Sequence, residues 1–311
     1  MRLPVRSATA TGPAVMMILG SCVSLQFGAA LAVHLFPTMG AWGVTSLRLG
    51  FAALIMVVAV RPRVLRWTWR QWRAVLVFAV ALAGMNGSFY CAIERLPLGA
   101  AVAIEFLGPL LLAAVGSRRV IDLGWVALAL GGIGLLGIES VAQAESSLDP
   151  LGVVFALIAG SFWILYILAS ARVGQSVPGA GGLAMALVIS ALLVMPMGVP
   201  GVLRGLDDPL MLGLALGTAV LSSVIPYTLE LAALRRLPRN VFGILLSLEP
   251  MVAALAGWIL LHQSTGPLRL AAIALVIMAS IGTIMTASDN REPTPEPVDR
   301  IPERREPARA Q

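Results

Sequence analysis

The chain has no lysine; all 22 of its basic residues are arginine. Charge of either sign is scarce, at 12% of residues, where a soluble domain carries about 25%. That shortage excludes an ordinary water-soluble fold. Two cysteines and two histidines are too few, and too far apart, for a disulfide framework or a zinc cluster. No metal or other cofactor is expected. His34 and His262 fall near loops, where water solvates them. No phosphate-binding loop or zinc-protease signature is present, and the glycine-rich "GGIGLLG" at 131–137 lies inside an apolar run, where a dinucleotide fingerprint has no meaning. No nucleophile stands beside a base, so the sequence argues against an enzyme. The net charge of +6 does not point to nucleic acid either, because the arginines sit in loops between apolar runs.

What the chain has instead is hydrocarbon. Hydrophobic residues make up 58% of it, and mean hydropathy is +0.89. Apolar runs fall near 14–33, 41–60, 74–93, 99–116, 121–140, 150–170, 181–198, 210–234, 241–261 and 268–287. Each approaches the roughly 20 residues that span a bilayer as a helix, and helices satisfy their own backbone in lipid. The fold class is therefore an all-α integral membrane protein with ten transmembrane helices. Cys22 and Cys91 lie in such runs and read as buried, inert thiols. "LGSC" at 19–22 imitates a lipoprotein signal, but nine more runs follow, and the first is read as a retained helix.

Orientation comes from the loops. "RPRVLRWTWRQWR" at 61–73 holds five arginines and no acid, with Trp67, Trp69 and Trp72 as an interfacial belt. The positive-inside rule places it in the cytoplasm. Arg118, Arg119, Arg172, Arg235, Arg236 and Arg239 then also fall inside. "ESVAQAESSLDP", with three acids and no base, falls outside. Both termini are cytoplasmic. Residues 1–13 form an inner N-terminal segment, and the Pro-rich, charged tail 288–311 has too little apolar surface to fold.

The chain repeats itself. "RLPLGAAVAIEFLGPLLLAAVG" (95–116) lines up with "RLPRNVFGILLSLEPMVAALAG" (236–257) at an offset of 141 residues. Pro109 falls on Pro250 and Gly116 on Gly257. Residues 14–140 and 150–287 are thus two copies of a five-helix unit. An odd number of spans points the copies in opposite directions, which is an inverted repeat, an architecture of secondary transporters. A helix proline removes the bond to the carbonyl four residues back. Pro109 is expected to free the carbonyl of Glu105, and Pro250 that of Leu246, leaving a polar break in each half that faces a path.

Four charged side chains fall within runs: Arg48, Glu105, Glu230 and Glu249. Each is expensive in the membrane and needs a partner, water or a function. At 1.5 Å per residue, Arg48 and Glu105 lie about 11 Å and about 9 Å in from the outer ends of their helices. They either pair with each other or face substrate or proton. Glu230 is close enough to the inner end to reach Arg235 or Arg236. Glu249 cannot reach a surface and is the best candidate for a protonatable carboxylate. Gln26, Asn86, Tyr90, Trp163, Tyr166 and Tyr227 add polar groups that serve either a small polar solute or interhelical contact.

These residues carry a resemblance. "AVAIEFLGPL" (101–110), "GMNGSFYCAI" (84–93), "IPYTLELAALRRLP" (225–238) and "FGILLSLEP" (242–250) resemble the drug/metabolite transporter superfamily. The likeness is to its EamA type, and more narrowly to bacterial threonine/homoserine exporters. It covers residues 14 to 287. The resemblance implies an inner-membrane secondary carrier that exports small amino acids, driven by the proton gradient. A zwitterion would then use Arg48 or a freed helix end for its carboxylate. Glu105, Glu249, Tyr166 or Trp163 would take its ammonium, and Gln26 or Asn86 a hydroxyl. Export of other metabolites or drugs, and passive conduction, are the alternatives. No sequence signal speaks to oligomeric state.

Overall fold

The computed structural model describes residues 11–116, 120–142, 149–234, 245–263 and 266–288. Residues 1–10, residues 143–148 of the acidic loop, the tail after 288, and Arg118, Arg119, Arg235, Arg236 and Arg239 lie outside the described residues. Every regular element among those described is helical, as backbone in lipid requires. In order these are α1 (Thr11–Val33), α2 (Phe36–Val60), α3 (Trp69–Ile93), α4 (Leu98–Glu105), α5 (Leu107–Gly116) and α6 (Val120–Ala142). Then follow α7 (Pro150–Ser176), α8 (Gly181–Gly205), α9 (Pro209–Ala219), a π-helical turn (Val220–Val224), α10 (Ile225–Leu234), α11 (Glu249–Leu261) and α12 (Pro267–Ser288). Among the described residues, six helical stretches are long and apolar enough to cross a membrane, and four more apolar helices are shorter.

Local chemistry sets the ends. Thr68 and Gln71 form a capping box, with Thr68 N–H donating to Gln71 Oε1 at 2.8 Å, so two otherwise orphaned donors are satisfied. Gln71 Nε2 also donates to the Ser176 carbonyl at 2.6 Å, which ties the start of α3 to the end of α7. Asp149 and Asp208 cap α7 and α9, each followed by a proline at the first helical position, where its missing N–H costs nothing. Gly40, at φ 65° and ψ 167°, kinks α2 near its start. Ala41 N–H beyond that kink is taken by Glu94 Oε1 at 3.1 Å.

Packing runs through small residues, as expected where lipid offers no hydrophobic drive between helices. The closest partners are α2 with α8, α3 with α7 and with α8, α6 with α12, α1 with α10 and the π turn, and α4 with α11. A Cβ on Gly43 would lie 2.9 Å from Gly201 Cα, and one on Gly99 would lie 2.8 Å from Ala254 Cα. Large apolar residues such as Leu54, Val58, Val80, Leu192 and Trp258 stay exposed on the outer faces, where a bilayer would cover them. A cavity of about 330 Å³ opens between Val33, Phe36, Pro37 and Glu94 at one end of α1, α2 and α3.

Two interruptions appear among the described residues, and Pro250 sits differently than expected. The fourth apolar run is interrupted at Phe106, between α4 and α5, and the ninth at Ser247 and Leu248, just before α11; Phe106 and Ser247 are 141 residues apart. Pro250 sits in the first turn of α11, so it opens a helix and breaks none. Pro109 lies early in α5. The carbonyl of Glu105, left without a proline donor, is covered: a Cβ on Gly160 would lie 2.6 Å from that oxygen. Gly160 and Gly108 pack backbone to backbone, and α7 closes over the break.

Candidate functional site

The polar centre is built from Arg48 outward. Arg48 is 3% exposed, midway along α2. Its Nη1 donates to the Ser222 carbonyl at 3.5 Å, and its guanidinium lies 4.7 Å from the ring centroid of Tyr90. Nε and Nη2 have no hydrogen-bond partner among the described residues. These two N–H groups form one edge of the planar guanidinium, the fork that takes a carboxylate bidentately. One edge is tethered, one face is stacked, and the second edge is free.

The tether follows from the chain. Ile225 N–H bonds to the Val220 carbonyl, the five-residue rung of a π turn, so the Leu221 carbonyl loses its usual donor. Pro226 has no N–H to give the Ser222 carbonyl. Both orphaned oxygens are met by side chains: Ser24 Oγ donates to Leu221 O at 2.7 Å, and Arg48 takes Ser222 O. Ser222 Oγ returns a bond to the Leu25 carbonyl at 3.3 Å. Gly28 makes room, since a Cβ there would collide with Ser222. The π turn thus joins α1, α2 and α10 at the point where Arg48 is held.

Most of the expected residues surround it. Glu105, 7% exposed at the end of α4, has Arg48 as its charged neighbour. No ion pair closes between them among the described residues, so the expected pairing is electrostatic and not in contact. Tyr227 has Arg48, Glu230, Asn86 and Tyr90 as electrostatic neighbours. Tyr166 has Tyr227, Glu230 and Glu249, and its ring packs 5.3 Å from Phe78. Glu249, 4% exposed, opens α11 and faces Glu230 and Glu105. Three carboxyl groups therefore share one interior with the guanidinium of Arg48.

Three candidates make no hydrogen bond to Arg48, although Asn86 lies beside Tyr227. Asn86 spends an N–H on the Leu82 carbonyl of its own helix, at 2.7 Å. Trp163 packs edge-on against Phe106, with centroids 4.8 Å apart, and so braces the break in helix 4. Gln26 is 2% exposed with Oε1 unpartnered among the described residues, but its side chain makes no hydrogen bond to Arg48.

Two features escape a reading of the sequence. Glu230 accepts from Ser21 Oγ at 2.7 Å and has Glu249 as an electrostatic neighbour, while the expected partners Arg235 and Arg236 lie outside the described residues. The serines of the π turn are the second. Pro226 within an apolar run is the signal that a carbonyl four residues earlier needs a side-chain donor.

The profile of the EamA-like transporter family matches residues 150–285. The chain is 40% identical to the threonine/homoserine exporter RhtA of Escherichia coli K12, over 88% of its own length and 91% of that protein's. It is also 40% identical to RhtA of Salmonella typhimurium SL1344, over 92% and 95%. The chain belongs to the EamA-like transporter family. This transporter is also 26% identical to the uncharacterized transporter YwfM of Bacillus subtilis 168, over 82% of the chain and 87% of that protein. A solved crystal structure matches it with a TM-score of 0.57, covering 92% of this chain and 99% of that one. At 19% identity that likeness is one of fold. The transporter is a multi-pass membrane protein.

Proposed function

We propose that this transporter exports small amino acids of the threonine and homoserine type across the cell inner membrane, coupled to the proton gradient, without enzymatic chemistry. The observation that carries the substrate class is the free Nε/Nη2 edge of Arg48. A buried guanidinium with an unused fork is costly to keep, and a carboxylate is the group that fits it. Glu105 and Glu249 then stand where a substrate ammonium or a proton would neutralise them. The RhtA relatives, which carry the threonine/homoserine exporter name, support the same class.

The architecture we propose is ten spans in two inverted five-helix units, 14–140 and 150–287, with both termini in the cytoplasm. The contacts support it. Exchanging the units, helix n for helix n+5, maps the α2–α8, α4–α11 and α6–α12 pairs onto themselves. The same exchange maps α3–α7 onto the pairing of α1 with α10. The matched breaks at Phe106 and Ser247 support it too.

The test is transport in liposomes. Labelled threonine should move uphill when a pH gradient is imposed, and Glu249→Gln should move it only downhill. Threonine movement indifferent to the gradient in both proteins would remove proton coupling. No threonine movement in the wild type would remove the substrate class and favour another metabolite.

A further inference from the structure

We propose that Ser223 reads the side-chain hydroxyl of the substrate; this rests on the amino-acid export reading above. Ser223 is fully buried, and its Oγ has no partner among the described residues. Several serines elsewhere in these helices find an acceptor. Ser161, Ser190 and Ser280 each donate to the carbonyl four residues back, at 2.7–3.0 Å, the usual refuge of a helical serine. Ser223, in the π turn, takes no such bond.

Its place gives the idle hydroxyl a use. Arg48 Nη1 docks on the Ser222 carbonyl, which belongs to the peptide unit joining Ser222 to Ser223. The Ser223 side chain therefore leaves the backbone directly beyond the anchor of the guanidinium. Tyr227, one helical turn on, has Arg48 among its electrostatic neighbours. A carboxylate on Arg48 would hold the rest of a small amino acid near the turn to which the same guanidinium is tethered. Threonine and homoserine each carry one hydroxyl, on the β or γ carbon, within a short reach of the carboxylate.

The other unpaired hydroxyls fit less well. Ser46 Oγ is pressed against Gly198 of α8, and Tyr90 is committed by its ring to Arg48. Thr218 precedes the π turn, in α9. Among the described residues, Ser223 alone joins an unpaired hydroxyl to the backbone unit that holds the arginine. A hydroxyl is donor and acceptor at once, so Ser223 can satisfy a substrate hydroxyl in either sense.

The experiment compares transport of threonine, homoserine and 2-aminobutyrate, the last having threonine's carbon skeleton without its hydroxyl. In wild-type liposomes the hydroxylated substrates should have the lower KM. Ser223→Ala should raise KM for threonine and homoserine about 10-fold, the worth of one hydrogen bond, and leave 2-aminobutyrate within about 2-fold. Ser223→Thr, which keeps the hydroxyl, should restore the preference. If Ser223→Ala shifts all three substrates together, or keeps the wild-type preference, the inference is overturned while export stands. A wild type that moves 2-aminobutyrate as well as threonine removes hydroxyl selectivity, and this inference with it. A wild type that moves none of the three overturns the export reading.

Discussion

Replacing Arg48 by lysine keeps the charge and removes the fork, so the pair of substitutions Arg48→Lys and Arg48→Gln separates the two. An ammonium is a compact point charge that cannot offer two parallel donors. Arg48→Lys should raise KM for threonine about 10- to 100-fold, the range of a hydrogen bond to a charged group. It should do little to threoninol, which lacks the carboxylate. Equal losses on both compounds would make Arg48 a structural residue anchored on Ser222. Glu230 makes a second case. Its bond from Ser21 orients it beside Glu249, so Glu230→Gln should weaken gradient-driven export while Ser21→Ala weakens it less. The assay is the ratio of uphill to downhill flux. An unchanged ratio in Glu230→Gln would return Glu230 to a packing role.

Among the helices, the closest approach around the site is α7 against the break between α4 and α5. Gly160 has no room for a side chain there, because the Glu105 carbonyl occupies the space a Cβ would take. Gly160→Ala should destabilise the protein by about 1–3 kcal/mol, the range of an overpacked contact, read as a fall in Tm in detergent. Gly174 lies on the same helix, with nothing within 4 Å of where its Cβ would be. Gly174→Ala should raise stability by up to about 1 kcal/mol through helix propensity alone. Opposite signs from one helix would establish that the break is held by contact and not by sequence preference. The break itself is legible in the sequence, since the two copies of the Leu-Pro…Pro…Gly pattern mark it in both halves. How it is made is not legible. A proline rule has Pro250 freeing a carbonyl, yet Pro250 starts α11, because the turn at Ser247 and Leu248 precedes it. Which side of a proline a helix breaks on depends on tertiary partners. Gly160, which covers the Glu105 carbonyl, lies 55 residues further along the chain, beyond the reach of any local rule.

At the scale of the molecule, hydropathy makes the helices readable, and charge makes a centre readable, because ionised groups in lipid are too costly to scatter. Arg48, Glu105 and Glu249 are therefore visible in the sequence, whereas Ser223 is not: serine is cheap to bury, and only the π turn sets it apart. The remaining proposal at this scale is direction. If the arginine-rich loop around Arg66 faces the cytoplasm, the turn at Asp207 faces the opposite side. Both side chains are exposed, and Cys22 and Cys91 are buried at 0% and 4%, so the native thiols should stay silent to a membrane-impermeant maleimide. Arg66→Cys should label only after the membrane is opened, and Asp207→Cys in intact spheroplasts. The reverse pattern would invert the protein and with it the sense of transport. Labelling of both sites in intact cells would place an even number of spans between them, against the odd number that α3 to α8 make when α4 and α5 count as one. That parity is the same one that opposes the two halves, so one labelling experiment tests orientation and inverted repeat together.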